Sequence, residues 1–292
     1  MRAGWRGPPP EPLPPLRIRE GFRLAWRGIV LVLVTVVAIA LFLFMRMLDA
    51  VGGRRGDQAR APAVQRHWAR AMLALSGLRL DCAGEPMAAG GALVANHSSW
   101  LDIVVLMATV RARFVAKAEV RTWPVIGFIA QACGTVFVER RRAEARRQGE
   151  MLRQLLDAGE RLVIFPEGTS TDGLRVLPFK SSLFEVFFTP ELRQVLKVQP
   201  VTIVHRPAAH LPRSFHGWWG DAALVPSLAN MLARSVAGRI VVIFHEPWPV
   251  AAFPDRKALA AQSEAVIRAE LALHLGAAGA EPENTTDAPA SR

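Results

Sequence analysis

The sequence predicts an α/β fold, in which a central, mostly parallel sheet is flanked by helices and preceded by a hydrophobic membrane-anchor helix. Short apolar segments alternate with helical ones after residue 90, which favours parallel strands joined by helices. Residues 29–45 form an uncharged apolar run near the N-terminus. Hydrophobic residues make up 51% of the 292 positions, enough to bury a sizeable core.

The apolar run predicts a helix that enters a membrane. As a helix its seventeen residues would reach about 26 Å, just short of the hydrocarbon thickness of a bilayer. A cleavable signal peptide is the competing interpretation, but the run ends in Phe-Leu-Phe-Met-Arg rather than in small residues. A retained anchor or a re-entrant helix is therefore favoured, and arginines on both sides leave its orientation open.

Composition divides the chain into four parts. Residues 1–15 contain six prolines and predict a disordered tail. Residues 16–63 hold the membrane anchor and a linker rich in Gly, Arg, Pro and Ala, and residues 64–275 carry the alternating elements of a folded domain. Residues 276–292 are small and polar, which predicts a second disordered tail.

Within the folded domain, apolar runs predict six strands and helical patterns predict six helices. The strands are at 91–95, 114–116, 135–138, 161–165, 198–204 and 239–244. The helices are at 64–80, 99–110, 124–132, 142–158, 182–188 and 255–275. The first of these helices is cationic and amphipathic, and it could either lie in the lipid headgroup layer or pack on the domain.

Charge and cysteine content narrow the class of partner. The formal net charge is +11, of which +6 falls in residues 1–60, where ten arginines stand against four acids. A basic excess beside an apolar run indicates attraction to anionic lipid headgroups. Nucleic-acid binding is the competing interpretation, but the arginines flank a hydrophobic segment, so no nucleic-acid partner is expected. Cys82 and Cys133 are far apart and predict neither a disulfide nor a zinc site, and no metal or organic cofactor is expected.

The first chemical motif follows the strand at 91–95, where residues 96–102 read Asn-His-Ser-Ser-Trp-Leu-Asp. With Ser98 or Ser99 capping the next helix, His97 and Asp102 lie near the same helix end. A carboxylate bonded to one imidazole nitrogen fixes the tautomer and leaves the other nitrogen free as a base. The alternative is structural, with Asp102 as the acidic member of a capping box and His97 as a polar turn residue.

The second motif follows the strand at 161–165, where residues 165–169 read Phe-Pro-Glu-Gly-Thr. Proline ends the strand and glycine permits close backbone approach, so amides and a hydroxyl are presented at a strand's carboxyl end. Ligands bind at that edge in open α/β sheets. Arg140 and Lys180 add cations that could meet a phosphate. The alternative for Arg140 is the solvated start of a charged helix.

Together these segments resemble the glycerolipid acyltransferase family, specifically the bacterial 1-acyl-sn-glycerol-3-phosphate acyltransferases. Four blocks match in order: His-x4-Asp at 97–102, Gly-Thr-Val-Phe-Val-Glu-Arg at 134–140, Phe-Pro-Glu-Gly-Thr at 165–169, and Pro200-Val201. The resemblance implies that residues 64–275 form an acyltransferase domain on the cytoplasmic face of the cell inner membrane. It also implies three partners: membrane lipids, a lysophospholipid acceptor, and acyl-CoA or acyl carrier protein as donor.

The resemblance gives each block a role. His97 would take the proton from the sn-2 hydroxyl of 1-acyl-sn-glycerol-3-phosphate, and Asp102 would orient His97. The oxygen would then attack the donor thioester and make phosphatidic acid for phospholipid biosynthesis, without an acyl-enzyme. Pro200 and Val201 would line the acyl site. The residues implied to hold the acceptor's phosphate end are Arg140, Glu167, Gly168, Thr169 and Lys180. An ionised Glu167 cannot bind phosphate, so it is expected to organise Arg140 or nearby amides.

One position departs from the family pattern. Many members continue the third block with Arg, whereas Ser170 follows Thr169 here. Residues 167–180 resemble a proteobacterial subgroup that includes acyltransferases acting on lyso-ornithine lipid, whose head is an amino acid rather than a phosphate. O-acylation of lyso-ornithine lipid to ornithine lipid by the same His/Asp mechanism is therefore the alternative function.

Two rival classes of protein share some of these features. A hydrolase on the same scaffold would be expected to carry a Gly-x-Ser-x-Gly elbow, which this sequence lacks. An inert lipid-binding protein would use the apolar helix equally well, but it has no need of the pair His97 and Asp102. The acyltransferase interpretation is therefore preferred to both.

Overall fold

A single sheet organises the part of the chain that the structure describes. The structure is a computed structural model, and it describes residues 5, 7–54, 59–88, 90–122, 127, 130–131, 134–138 and 142–276. Within these residues eight strands form the sheet, in the spatial order β1-β7-β6-β2-β5-β3-β4 with β8 beside β6. The strands are β1 (Leu78–Ala83), β2 (Ala92–Ala95), β3 (Arg113–Lys117), β4 (Val136–Val138), β5 (Leu162–Ile164), β6 (Lys197–Arg206), β7 (Gly238–Phe244) and β8 (Trp248–Pro249).

Parallel pairing dominates this sheet. Strand β2 is parallel to β5 on one side and to β6 on the other, and β3 is parallel to both β5 and β4. Strand β1 is parallel to β7, and β6 is antiparallel to β7 and β8. The mostly parallel sheet predicted from the sequence is confirmed, and all six predicted strands are present.

Helices cover both faces of the sheet, so all four β2 side chains are buried. Leu93 and Ala95 point into a core with α2, α3 and α6, whereas Ala92 and Val94 point into a second core with α4, α5 and α7. The helices are α1 (Ile18–Val51), α2 (Ala61–Leu75), α3 (Leu101–Thr109), α4 (Arg142–Asp157), α5 (Pro190–Arg193), α6 (Leu224–Arg234) and α7 (Arg256–Leu275). Three 3-10 helices span Ala118–Thr122, Ser181–Phe188 and Val250–Ala252 of the described residues.

The helix predicted at 64–80 ends earlier than expected. Helix α2 stops at Leu75, and Gly77 then adopts a φ of 69°, a left-handed conformation that suits glycine. A Cβ atom at Gly77 would lie 2.8 Å from the Ser235 carbonyl oxygen. The chain therefore turns here, and Leu78 begins β1, so the prediction of a helix as far as residue 80 was wrong. Ala69 and Met72 of α2 are buried in the core, which favours the packed alternative over a helix lying in the headgroup layer.

Other sequence predictions differ in detail or lie outside the described residues. The helix predicted at 182–188 is a 3-10 helix, and β1, β8, α5 and α6 were not predicted. Most of the helix predicted at 124–132 falls outside the described residues, as do Arg140 and residues 277–292.

Helix α1 is longer than the apolar run that predicted it. Its most apolar 18-residue window has a mean hydropathy of 3.1, and its 34 residues would extend about 51 Å. At its start the buried Arg27 guanidinium donates to the carbonyl oxygens of Leu232 and Ser235, both at 2.9 Å. Near its end the Asp49 carboxylate accepts the Arg60 and Ala61 amides at 2.7 and 3.0 Å, which ties α1 to the start of α2.

One side of α1 remains uncovered. Its exposed large apolar side chains recur every three or four residues along the whole helix, which is the spacing of a single helical face. They include Ile18, Phe22, Trp26, Ile29, Leu33, Val36, Val37, Leu43, Phe44, Met47 and Val51. A continuous apolar stripe of this kind suits contact with lipid.

The residues before α1 contact the folded domain. The Trp219 Nε1–H donates to the Pro8 carbonyl oxygen at 3.0 Å, and the Arg234 guanidinium donates to the Pro14 carbonyl oxygen. The proline-rich composition predicted a disordered tail over residues 1–15. In the structure, the described part of that segment lies against the domain.

Candidate active site

The carboxyl ends of β2, β5 and β6 bring the two sequence motifs together. These strands are adjacent and parallel, so the segments that follow them emerge at the same edge of the sheet. His97 follows β2, Glu167 follows β5, and His205 lies at the end of β6. The Thr171 amide donates to the His97 carbonyl oxygen at 3.0 Å, which joins the first two segments.

Asp102 orients the His97 imidazole. Its Oδ2 atom lies 2.9 Å from His97 Nδ1 and accepts the amides of Ser98 and Ser99 at 2.7 and 2.9 Å. The Ser99 amide lies just before α3, so the Asp102 carboxylate satisfies a backbone donor at the start of the helix while it also orients His97. With Nδ1 assigned as the donor to the carboxylate, His97 Nε2 carries the free lone pair.

The His97 ring is held on its face as well as at its edge. The Phe165 ring stacks on it with a centroid separation of 4.2 Å and an interplanar angle of 22°. The His97 side chain keeps 17% of its surface exposed. Among the described residues Nε2 has no hydrogen-bond partner, so a basic nitrogen is held at a partly open surface.

A second histidine, His205, binds the other oxygen of Asp102. Its Nε2 atom lies 2.6 Å from Asp102 Oδ1, and both side chains are buried. The His216 ring lies behind it, edge-on, with a centroid separation of 5.7 Å. Burial lowers the pKa of His216 to about 3, with a smaller contribution from His205, so His216 is neutral at neutral pH.

The pKa of Asp102 is set by opposing effects. Burial of the carboxyl raises it, but the hydrogen bonds from His205 and His97 and their charges lower it by more. The pKa therefore lies well below its usual range, and Asp102 is ionised at neutral pH. An ionised carboxylate at Nδ1 stabilises the imidazolium that forms when Nε2 takes up a proton.

Sequence reasoning missed His205. The histidines outside the first motif show no ligand spacing, and His205 follows the apolar residues of β6 as a packing residue would. Its role depends on the pairing of β6 with β2, which begins at Val198 and Ala92 and brings the end of β6 past Asp102. The available signal was a polar residue at the end of an apolar strand. Its meaning depends on knowing that this strand, β6, lies beside β2.

Glu167 is buried between the two motif segments rather than at the surface. Its Oε1 atom accepts the His97 amide at 2.6 Å, and Oε2 accepts the Leu177 amide at 2.8 Å. Burial raises the pKa of Glu167 to about 8, although the two backbone hydrogen bonds lower it in part. Glu167 therefore fixes the backbone on which His97 is carried.

Gly168 and Lys180 lie against each other beside this carboxyl. Gly168 has a φ of 68°, a left-handed conformation that suits glycine, and Lys180 Nζ lies 2.9 Å from where a Cβ atom would stand. The Lys180 amide donates to the Pro166 carbonyl oxygen at 2.9 Å. Lys180 is exposed, which leaves an ammonium group at the outer side of the loop.

Thr169 and Ser170 face different partners. The Thr169 hydroxyl oxygen accepts the Trp5 amide at 3.3 Å and is partly buried. The Ser170 hydroxyl is buried and donates to the Trp218 carbonyl oxygen. The position at which the family pattern often continues with arginine therefore holds a short side chain turned inward.

Pro200 and Val201 lie inside the sheet. They pair with Val94 and Ala95 of β2, and both are buried. The structure thus puts these two residues beside the strand that leads to His97. The acyl site that the resemblance implies would therefore lie beside the paired strands β2 and β6.

The serines of the first motif are bound inside the loop. Ser98 Oγ lies 3.3 Å from Asp102 Oδ1, and Ser99 Oγ accepts the Leu101 amide at 3.3 Å. Both residues are buried. This arrangement favours a capping and supporting role over that of a hydrolase nucleophile.

Comparison with known proteins places this geometry in a family. A family model described as Acyltransferase matches residues 80–204. The lyso-ornithine lipid O-acyltransferase of Rhodobacter capsulatus is 43% identical over 267 residues, which cover 90% of this chain and 95% of that protein. The protein of the same name from Pseudomonas aeruginosa is 34% identical over 70% of this chain and 77% of its own length.

Similarity to phosphate-acceptor enzymes is more limited. The 1-acyl-sn-glycerol-3-phosphate acyltransferase of Neisseria gonorrhoeae is 40% identical over 100 residues, which cover 33% of this chain and 38% of that protein. The crystal structure of the 1-acyl-sn-glycerophosphate acyltransferase PlsC from Thermotoga maritima shares the fold. The TM-score is 0.57, with 21% identity over 87% of this chain and 96% of that one. The fold, the ordered motifs and the full-length similarity together show that this chain belongs to the glycerolipid acyltransferase family and is an enzyme that acylates lysolipids.

Proposed function

We propose that this enzyme transfers an acyl chain from acyl-CoA or acyl carrier protein to the hydroxyl of lyso-ornithine lipid, forming ornithine lipid. The observation that carries the choice of acceptor is the 43% identity to a lyso-ornithine lipid O-acyltransferase over 90% of the chain. The 1-acyl-sn-glycerol-3-phosphate acyltransferases of Neisseria gonorrhoeae and Brassica napus match 33% and 53% of it, at 40% and 30% identity. The buried Ser170 supports the same acceptor, because it places no cation where the family pattern often has arginine.

The mechanism follows from the Asp102-centred geometry. His97 Nε2 accepts the proton of the acceptor hydroxyl while the hydroxyl oxygen attacks the thioester carbonyl carbon, and the ionised Asp102 stabilises the imidazolium. The C–O bond forms, the C–S bond breaks, and the leaving thiolate takes the proton back from His97. General-base assistance of this kind contributes typically ~10²–10⁴-fold to the rate. His205 acts as a positioning residue, because it fixes the second oxygen of Asp102.

The acceptor side would be built from the loop after β5. Gly168 and Thr169 present backbone and hydroxyl groups, and Lys180 adds an ammonium at the outer side. Arg140 is proposed as a further cation on sequence grounds. Pro200 and Val201 remain the proposed contributors to the acyl site, through the position of β6 beside β2.

The membrane helix supports a lipid acceptor. The exposed apolar stripe of α1 would hold the enzyme at the bilayer in which lysolipids reside. Acyl-CoA and acyl carrier protein are cytoplasmic, so we propose that the catalytic domain faces the cytoplasm at the inner membrane. Residues 64–275 would form the acyltransferase domain, and residues 16–63 would form the anchor and linker.

An acceptor panel tests this function. The purified full chain in detergent is given labelled acyl-CoA or acyl carrier protein, with lyso-ornithine lipid or 1-acyl-sn-glycerol-3-phosphate as acceptor and several chain lengths. The expected result is transfer to lyso-ornithine lipid with the higher kcat/KM. A preference for 1-acyl-sn-glycerol-3-phosphate would assign phosphatidic acid synthesis instead, and transfer to neither acceptor would contradict the proposal.

A further inference from the structure

The described residues before α1, which are Trp5 and residues 7–17, form a strap across the domain. Its Pro8 carbonyl oxygen accepts the Trp219 indole N–H at 3.0 Å, and its Pro14 carbonyl oxygen accepts the Arg234 guanidinium. Arg234 also lies 3.6 Å from the Glu20 carboxylate in the first turn of α1. The strap is therefore fixed at two points and continues directly into the membrane helix.

At the far end of this strap, Trp5 contacts three residues of the domain. Its amide donates to Thr169 Oγ1 at 3.3 Å, and its ring centroid lies 6.2 Å from that of Trp219. The Arg175 guanidinium carbon lies 5.1 Å from the Trp5 ring centroid. A Cβ atom added at Gly7 would lie 2.1 Å from the Trp5 ring, so glycine at this position leaves room for the ring.

This cluster adjoins the catalytic loop. Thr169 lies two residues after Glu167, which holds the His97 amide. The Trp218 amide, next to Trp219, donates to the Ser98 carbonyl oxygen at 2.8 Å. Aromatic rings and a guanidinium from the N-terminus, the loop after β5 and the loop after β6 therefore meet on the acceptor side of His97.

The chemistry of the cluster suits an amino-acid headgroup. The ornithine head carries a carboxylate and an ammonium. A guanidinium binds carboxylates through two parallel N–H bonds, and tryptophan faces attract cations. The buried Asp172 lies 3.2 Å from Arg175 and fixes its orientation. A phosphate monoester has no ammonium to place on the indole faces.

We propose that Trp5, Arg175 and Trp219 form the headgroup site for the amino-acid end of the acceptor, with the N-terminal strap supplying one wall. The inference rests on the proposed function and adds to it the residues that select the headgroup. Arg175 binds the carboxylate, and the ammonium lies on the Trp219 face and on the Trp5 face that Arg175 does not cover. The six prolines of residues 8–15 restrict the free strap, so little conformational entropy opposes its docking.

The test is steady-state kinetics of the full chain with two acceptors. Trp5→Ala is expected to raise the KM for lyso-ornithine lipid about 2- to 30-fold, the range of one cation–aromatic contact, while the donor KM is unchanged. The KM for 1-acyl-sn-glycerol-3-phosphate should change less, so the selectivity between the two acceptors falls. Trp5→Phe, which retains a ring, should recover part of the affinity.

Controls separate this inference from the proposed function. Glu11→Gln lies on the same strap, at an exposed residue, and is expected to behave as the parent chain. Equilibrium binding of lyso-ornithine lipid to His97→Ala, with and without Trp5→Ala, measures the headgroup contact without turnover. If the parent acylates lyso-ornithine lipid but Trp5→Ala alters neither its KM nor its binding, the headgroup site is wrong and the function stands. If the parent acylates no lysolipid, the function itself fails.

Discussion

The reacting centre and the acceptor side of this enzyme are built in different ways. At the centre, the buried Asp102 receives four hydrogen bonds shorter than 3 Å, from His97, His205 and the amides of Ser98 and Ser99. On the acceptor side, Trp5 is joined by a 3.3 Å bond to Thr169 and by ring contacts. The reacting centre is a buried network in which several donors hold one carboxylate. The acceptor side is a set of surface contacts between loops.

The difference teaches which property each region controls. A buried carboxylate with several donors cannot move without leaving charge unpaired, so the reacting centre suits a step common to all acceptors. Contacts between loops are individually weak and can be exchanged at small cost. We therefore expect changes at the centre to lower kcat for every acceptor, and changes on the acceptor side to alter KM and selectivity.

The largest effect is expected for His97→Ala. Removal of the base should lower kcat ~10²–10⁴-fold with both lyso-ornithine lipid and 1-acyl-sn-glycerol-3-phosphate, with little change in the melting temperature. His210→Ala, at an exposed histidine in the same domain, serves as the matched control. A loss confined to one acceptor would contradict the division between the two regions.

The next effect concerns His205, which does not contact the reacting atoms. His205→Ala removes a donor to the buried Asp102, and leaving that oxygen under-satisfied should lower kcat about 5- to 100-fold without changing either KM. The loss of the His205 bond also raises the pKa of Asp102 toward its usual range. His205→Gln, which can donate from Nε2, should recover part of kcat.

Two outcomes would show that His205 serves packing alone. The first is a kcat for His205→Ala equal to that of the parent chain despite a lower melting temperature. The second is a His205→Gln variant that recovers stability but no activity.

Glu167 gives a pH-dependent effect on stability. Its pKa is raised from 4.5 to about 8 on folding, so the folded chain binds more protons than the unfolded chain between these values. The contribution of this group to the free energy of unfolding therefore falls as pH rises through the window. Glu167→Gln should be less stable at pH 5 by about 1–3 kcal/mol, because its amide cannot accept both backbone N–H groups.

The same variant has no titrating group at position 167. Its deficit relative to the parent chain should shrink between pH 5 and pH 8, as measured by denaturant unfolding in matched buffers. A deficit that stays constant over this range would show that Glu167 is ionised in the folded chain at all these pH values.

The smallest effect is expected for Lys180→Gln. Lys180 is exposed beside Gly168, and a single screened charge contact should alter the acceptor KM by about 2- to 5-fold and leave kcat in place. The effect should weaken as the salt concentration rises. A fall in kcat of tenfold or more would show that Lys180 acts in the reacting centre rather than on the acceptor side.

Local chemistry made much of the fold and the centre predictable from the sequence. Apolar runs bounded by turn residues located six strands, and the His-x4-Asp spacing located His97 and Asp102. Both depend on residues close together in the chain. The end of α2 was misjudged because apolar residues continue beyond Leu75, at Leu78 and Leu80, although the left-handed Gly77 is a local signal of a helix end.

Properties that depend on distant parts of the chain were not predictable in the same way. His205 reaches Asp102 only because β6 lies beside β2. The strap reaches the acceptor side only because α6 and the loop after β6 present Arg234 and Trp219 to it. The resemblance first favoured 1-acyl-sn-glycerol-3-phosphate as acceptor. Full-length similarity supports lyso-ornithine lipid better, and Ser170 together with the resemblance over residues 167–180 signalled this from sequence.

Chemical rescue tests the central claim most directly. His97→Gly removes the imidazole beside Phe165, and the single-turnover rate of acyl transfer to lyso-ornithine lipid is then measured with increasing imidazole. The account predicts a rate at least 100-fold below that of the parent without imidazole, rising with the concentration of neutral imidazole. A His97→Gly variant that transfers the acyl chain at the parent rate, with no dependence on imidazole, would contradict it.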